Sequence, residues 1–177
     1  MSDEQVAYVT DLLRRHPDVR TILEIGFNGG LSAAAMLEAR DDTTVVSFDI
    51  GRWEYVRDAK ALVDEKFPGR HTLVVGDSVD TVPRFDPARK GTFDLAFIDG
   101  GHEAPVPAAD IRNTLEFLKP GALVLVDDYC AAYGRHGVID AYDDAVAQGW
   151  YETVEGPFEG TERRGWIVAR KVLRNSV

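Results

Sequence analysis

The amino-acid sequence predicts an α/β fold, a doubly wound and mostly parallel sheet with helices on both faces, and three observations carry that prediction. Five short apolar runs recur along the chain, separated by segments whose apolar residues have helical spacing. The runs are apolar on both faces instead of alternating regularly with polar residues, as strands covered on both sides are. Four of the five end on acidic residues, at the edge where sheets of this kind bind ligands.

The elements follow in order. Ser2 and Gln5 have the spacing of a capping box, and Val6, Val9, Leu12 and Leu13 continue a first helix until His16-Pro17 stops it. Thr21-Ile22-Leu23-Glu24-Ile25 is the first strand; it ends at Gly26, and the Ala-rich residues 32–39 favour a helix. Residues 44–48 form the second strand, closed by Asp49, and a helical segment with Trp53, Val56, Leu62 and Val63 runs to Pro68-Gly69. Leu73-Val74-Val75 ends at Gly76-Asp77, residues 93–98 end at Asp99, and residues 122–126 end at Asp127-Asp128. Helical segments around Val79 and around Ile111, Leu115 and Leu118 separate these strands, with right-handed crossovers expected. A last helix carries Val138, Tyr142 and Val146, after which the segments 151–154 and 166–169 can close the sheet as a hairpin.

With 177 residues and 45% apolar content, the chain is sized for one domain, residues 1–177. No run of eighteen apolar residues occurs, and Asp3, Glu4 and Asp11 occupy the place of a basic, apolar leader, so the expectation is a cytoplasmic protein with no membrane partner. The lone Cys130 fits a reducing compartment. A formal charge of −10, with no basic run longer than Arg163-Arg164 or Arg170-Lys171, argues against a nucleic-acid partner.

The segment from Glu24 to Ser32 carries the strongest signal. Gly26 follows the strand directly and Gly30 stands at the helix start, allowing a tight turn and close approach of a ligand. A pyrophosphate loop reads G-x-G-x-x-G, but here Asn28 holds the middle position and Glu24 adds a negative charge. Both departures suit a ligand with a cationic amino-acid moiety and no phosphate, which describes S-adenosylmethionine. Asp49 can accept hydrogen bonds from ribose hydroxyls, and Gly76-Asp77-Ser78 lies within reach of the adenine edge.

On these residues the chain resembles the class I methyltransferases, and among them the small O-methyltransferases of the catechol type and the macrolide-sugar type, over roughly Thr21 to Tyr129. The resemblance implies a seven-stranded sheet with its last strand antiparallel. It places Glu24, Gly26, Asn28 and Ser32 at the methionine end, Asp49 on ribose and Gly76, Asp77 and Ser78 beside adenine, with Phe27, Gly30, Ile50 and Asp99 completing the cofactor contacts.

Asp99, Asp127 and Asp128 end neighbouring strands, and three converging carboxylates repel one another unless a hard divalent cation such as Mg²⁺ neutralises them. Successive strand residues face opposite ways, so Asp127 and Asp128 can both ligate only where the strand has ended. The resemblance supports the metal, since metal-dependent members carry an acidic residue and an acidic pair at these places. His102, three residues after Asp99 and expected at the start of a helical segment on the same rim, is the candidate base, with an ordinary pKa of about 6.5. Catechol-type enzymes have lysine there, and sugar-type enzymes have histidine.

The other histidines, His16, His71 and His136, read as surface; Trp53, Phe85 and Trp166 read as core, and Cys130 as buried packing near the site. With about twenty residues before the first strand, the acceptor wall must come from loops 100–107, 129–137 or 156–165, or from a second subunit in a homodimer. Asp99-Gly100-Gly101-His102 replaces the Asp/Asn-Pro-Pro-aromatic run of amino-methylating DNA enzymes. The expected chemistry is in-line methyl transfer to a small-molecule hydroxyl, a vicinal diol being one that a cation could chelate. The rivals are a metal-independent methyltransferase and a noncatalytic S-adenosylmethionine-binding module.

Overall fold

The computed structural model describes residues 1–130, 137–160 and 165–173. Helix α1 (Asp3–Arg15) opens with the expected capping box: the Ser2 N–H donates to Gln5 Oε1 at 2.6 Å, and the Gln5 N–H donates back to Ser2 Oγ at 3.4 Å. Three strand-helix units follow: β1 (Thr21–Ile25) with α2 (Leu31–Ala39), β2 (Thr44–Asp49) with α3 (Tyr55–Lys66), and β3 (His71–Val75) with the short α4 (Ser78–Thr81). After β4 (Phe93–Ile98) come α5 (Val106–Leu115), β5 (Leu118–Asp127), α6 (Gly137–Ala147), and the hairpin β6 (Tyr151–Glu159) and β7 (Gly165–Lys171).

The seven strands form one sheet in the order β3-β2-β1-β4-β5-β7-β6. Strands β1 to β5 run parallel, and β7 is antiparallel to both neighbours. This is the Rossmann-like sheet that the sequence predicts, with the last strand inverted. Register aligns the strand ends: Ile25 pairs with both Phe48 and Ile98, and Ile98 pairs with Val126. Gly26, Asp49, Asp99 and Asp127, each one residue further on, therefore share one rim.

Strand alternation divides the core between the two faces. On one, Ile22, Val45, Leu95 and Leu123 pack with Leu12 and Leu13 of α1, Met36 of α2 and Val63 of α3. On the other, Leu23, Val46, Ala96 and Val124 pack with Ile111 of α5 and Tyr142 of α6. No helix among the described residues is long and apolar enough to cross a membrane.

Several local expectations need correction. Leu118 belongs to β5, where it pairs with Phe93, and not to the preceding helix; its spacing from Ile111 and Leu115 fits a helix, but the partner strand decides. β3 begins at His71, which is buried at 7% exposure and not on the surface. Trp53 precedes α3 and is 55% exposed, so it belongs neither to that helix nor to the core. His102 stands in a loop, because α5 starts only at Val106, and Ala104, which precedes Pro105, is disfavoured as a helical residue. Phe85 and Trp166 join the core as expected, as does Cys130.

Leu12 has no exposed surface. Leu12→Ala is expected to cost about 3 kcal/mol by opening a cavity between α1 and the sheet, read as a lower denaturation midpoint with unchanged m-value.

Candidate functional site

The loop after β1 is shaped by a close approach. Gly26 has φ +92°, and a Cβ there would run into the carbonyl oxygen of Asp99. Its N–H donates to Phe48 O at 2.8 Å, while the Asp99 N–H donates to Ile25 O at 2.9 Å, so the loop is tied to β2 and β4 as it leaves the sheet. Asn28 takes a left-handed conformation (φ +48°), which its short polar side chain tolerates. The Asn28 N–H donates to Asp49 Oδ2 and the Gly51 N–H to Asp49 Oδ1, both at 2.7 Å. One carboxylate thus clamps the loops after β1 and β2 together.

Above the rim lies a cavity of about 570 Å³. Of the residues expected to hold cofactor, Gly26, Asn28, Asp49, Ile50, Asp77, Ser78 and Asp99 line it. Glu24, Phe27, Gly30, Ser32 and Gly76 support it from behind. Glu24 is wholly buried and accepts hydrogen bonds from Ser32 Oγ and Ser47 Oγ; burial pushes its carboxyl up to about 7 against the pull of those hydroxyls. Phe27 is buried against His71, Gly30 caps α2 in a left-handed conformation, and Gly76 packs on Thr81. The sequence reading missed Arg52, Trp53 and Tyr55 on the cavity wall. Trp53 and Tyr55 stack 6.4 Å apart, Arg52 lies over Trp53, and the Tyr55 hydroxyl donates to Asn28 Oδ1 at 2.5 Å.

Asp99, His102 and Asp128 meet at the other end of the cavity, each offering an atom within 4.8 Å of the others. β5 ends at Asp127, and Asp128 adopts φ +57°, which turns its side chain along the rim. His102 Nε2 lies 2.6 Å from Asp128 Oδ2, and this hydrogen bond holds the imidazole pKa above its ordinary value against partial burial. Burial, followed by the charges of Asp127 and Asp128, raises the Asp99 carboxyl well above the usual range. Asp127, expected as a third metal ligand, is not one of these three: its Oδ1 accepts from Gln5 Nε2 of α1 and from the Asp128 N–H, the latter at 2.9 Å.

Gln5 escaped the sequence reading because its capping role explained it. Asp110 of α5 escaped too, although it has no exposed surface, lies under Gly100 and is pushed up to about 6 by burial. A buried acid inside a helical apolar stripe was its one available signal. Cys130 sits beside the site, its N–H donating to Asp128 O at 2.9 Å. His136, Arg163 and Arg164 lie outside the described residues, with the rest of 131–136 and 161–164 from two of the three loops expected to wall the acceptor.

Glu24 yields a pH test. Its folded pKa of about 7 exceeds the ordinary 4.5, so between those values the folded state holds a proton that the unfolded state has lost, and stability declines as pH rises through that window. Glu24→Gln removes the buried charge, and calorimetric melts should show it more stable than the wild type by on the order of 2 kcal/mol near pH 8, with little difference near pH 5. Equal melts at both pH values would contradict the costly buried charge.

Solved structures share the whole fold. The O-methyltransferase TomG of Streptomyces achromogenes, involved in tomaymycin synthesis and solved with SAM, is 24% identical with a TM-score of 0.79, over 97% of this chain and 81% of its own. An O-methyltransferase from Bacillus cereus in complex with SAH gives 20% and 0.80 over 97% and 82%. The SAH-bound methyltransferase PaMTH1 of Podospora anserina gives 21% and 0.71 over 97% and 79%. None of the curated proteins matches the chain. A family model described as a methyltransferase domain matches residues 23–129, from the strand that opens the Gly-rich loop to the tyrosine after the acidic pair, and the chain therefore belongs to that methyltransferase family.

Proposed function

We propose that the protein transfers the methyl group of S-adenosylmethionine to a hydroxyl of a small molecule. The observation that carries this reading is the single cavity running from Asp49 and Ser78 at one end to Asp99 and His102 at the other. Its volume of about 570 Å³ and its course along the ends of β2, β1 and β4 suit a nucleoside with an amino-acid tail whose sulfonium points at the histidine. Asp49 would accept from the ribose hydroxyls, Ile50 would cover the adenine face, Asp77 and Ser78 would border its edge, and Gly26 and Asn28 would bound the methionine end. The SAM in complex with TomG and the SAH in complex with the Bacillus cereus enzyme support the ligand.

In the reaction the acceptor oxygen attacks the methyl carbon in line with the breaking carbon–sulfur bond. Because His102 Nε2 donates its proton to Asp128 Oδ2, the hydroxyl proton passes to His102 Nδ1, and S-adenosylhomocysteine leaves uncharged at sulfur. Asp128 orients the imidazole and stabilises its charged form, so that the base works in its neutral state at pH above its raised pKa. Positioning of the two reactants supplies much of the remaining rate.

A divalent cation such as Mg²⁺ fits the donor set of Asp99, His102 and Asp128, because the carboxylate and imidazole atoms that they offer lie within 4.8 Å of one another. When bound it would lower the pKa of the acceptor hydroxyl and could chelate a vicinal diol. A second reading dispenses with the cation: the 2.6 Å His102–Asp128 contact is itself a base held by a carboxylate.

Methyl transfer to a panel of diols and phenols, with Mg²⁺ and with chelator, tests both readings. Loss of turnover in chelator supports the cation, full turnover leaves the base pair alone, and binding without turnover on any acceptor sinks catalysis. His102→Ala should lower kcat about 100-fold with cofactor affinity unchanged, and the rising limb of the wild-type pH–rate profile should disappear.

A further inference from the structure

Beneath the Gly-rich loop runs a chain of side chains that the reaction above does not use. Glu24 of β1 accepts from Ser32 Oγ of α2 and from Ser47 Oγ of β2, and Ser47 Oγ lies 2.8 Å from His71 Nε2 of β3. All four residues are buried. A hydroxyl has one proton, and Ser47 gives its proton to Glu24, so its oxygen accepts and His71 donates from Nε2. His71 is thereby the neutral tautomer protonated at Nε2, while Nδ1 is buried with no hydrogen-bond partner among the described residues. The same ring stacks on Phe27 with centroids 4.9 Å apart and planes 22° apart. His71 therefore reaches the loop twice, through the Phe27 ring and through Ser47 to Glu24.

We propose that His71 and Ser47 are positioning residues that keep the Glu24 carboxylate ionised and oriented under the loop, so that the cavity favours a ligand cationic at its methionine end. The inference rests on the S-adenosylmethionine reading above. A hydroxyl that accepts a hydrogen bond is a better donor, so the His71 N–H strengthens the bond from Ser47 to Glu24. Around Glu24 stand the Ser32 and Ser47 hydroxyls, which favour its charge, and Asp49 at the end of β2, which opposes it with burial. Around His71 stand Lys60 and Asp64 of α3; burial and then Lys60 hold the ring down to about 4, against Asp64, so it donates without carrying charge at neutral pH. A cationic ligand stabilises the ionised Glu24, and binding near neutrality releases a proton.

Titration calorimetry of S-adenosylmethionine and S-adenosylhomocysteine tests this in two buffers of different ionisation heat, at about pH 6, 7 and 8.5. His71→Phe keeps the stack and loses the N–H, His71→Gln keeps a donor, and Ser47→Ala breaks the chain from the other side should the aromatic variant fail to fold. Wild type should bind more tightly as pH rises and release a proton near pH 7. His71→Phe or Ser47→Ala should bind about fivefold more weakly at pH 7 and approach wild type by pH 8.5, with His71→Gln restoring most of the loss. Independently of any ligand, ¹⁵N resonances of His71 should show the Nε2–H tautomer. A folded His71→Phe and Ser47→Ala with the wild-type pH profile, or a ring protonated at Nδ1, overturns the relay alone. Wild-type protein that binds neither ligand at any pH overturns the cofactor reading and this inference with it.

Discussion

The rim depends on one steric constraint: the chain leaves β1 at a residue whose α-carbon lies against the carbonyl of Asp99, where a hydrogen fits and a methyl does not. β1 is flanked by β2 and β4, and the helices after β1 and β4 lie on opposite faces of the sheet. The loops after those strands must therefore diverge, and the crevice between them is the ligand cavity. Without the close approach at Gly26 the β1 loop would stand off from β4. Asp49 and the Gly100–His102 segment would then no longer bound one continuous space.

Much of this was legible in the sequence, for a physical reason. Strands buried on both faces are short and mostly apolar, and the residues that follow them fall on the rim, so Gly26, Asp49, Asp77, Asp99 and Asp127 could be placed from order along the chain. Side chains brought in by crossing elements could not. Gln5 meets Asp127 from 122 residues away, and no local pattern encodes that meeting. His71 read as surface because it stands two residues before the run of apolar residues, yet pairing with Val45 carries it into the sheet. The roles of Asp127 and Asp128 depended on a backbone dihedral: with φ +57° at Asp128, two sequential acids face different partners.

Electrostatics at the two ends of the cavity are opposite in purpose. Near the Gly-rich loop a single buried carboxylate is satisfied by hydroxyls, and its charge is a cost to folding that a cationic ligand would offset. At the far end three acids share a small region with one imidazole, and burial, with the charges of Asp127 and Asp128 added to it, leaves Asp99 reluctant to ionise. A methyl group leaving a positive sulfur passes from the first field towards the second. Perturbed acids concentrated in one crevice are what a site handling protons and cations requires, whereas the remaining surface carries ordinary ion pairs such as Arg15–Glu155 and Lys66–Glu38.

Cys130 is the chain's only thiol, and it lies 2% exposed with its backbone tied to Asp128 and its Cβ close to Gly165 of β7. That placement makes it an intrinsic reporter. A disulfide reagent can reach the buried sulfur only when the structure around the end of β5 opens, so the speed of its labelling measures how often the acidic rim breathes, and a bound ligand that tightens the rim would slow it without any engineered probe.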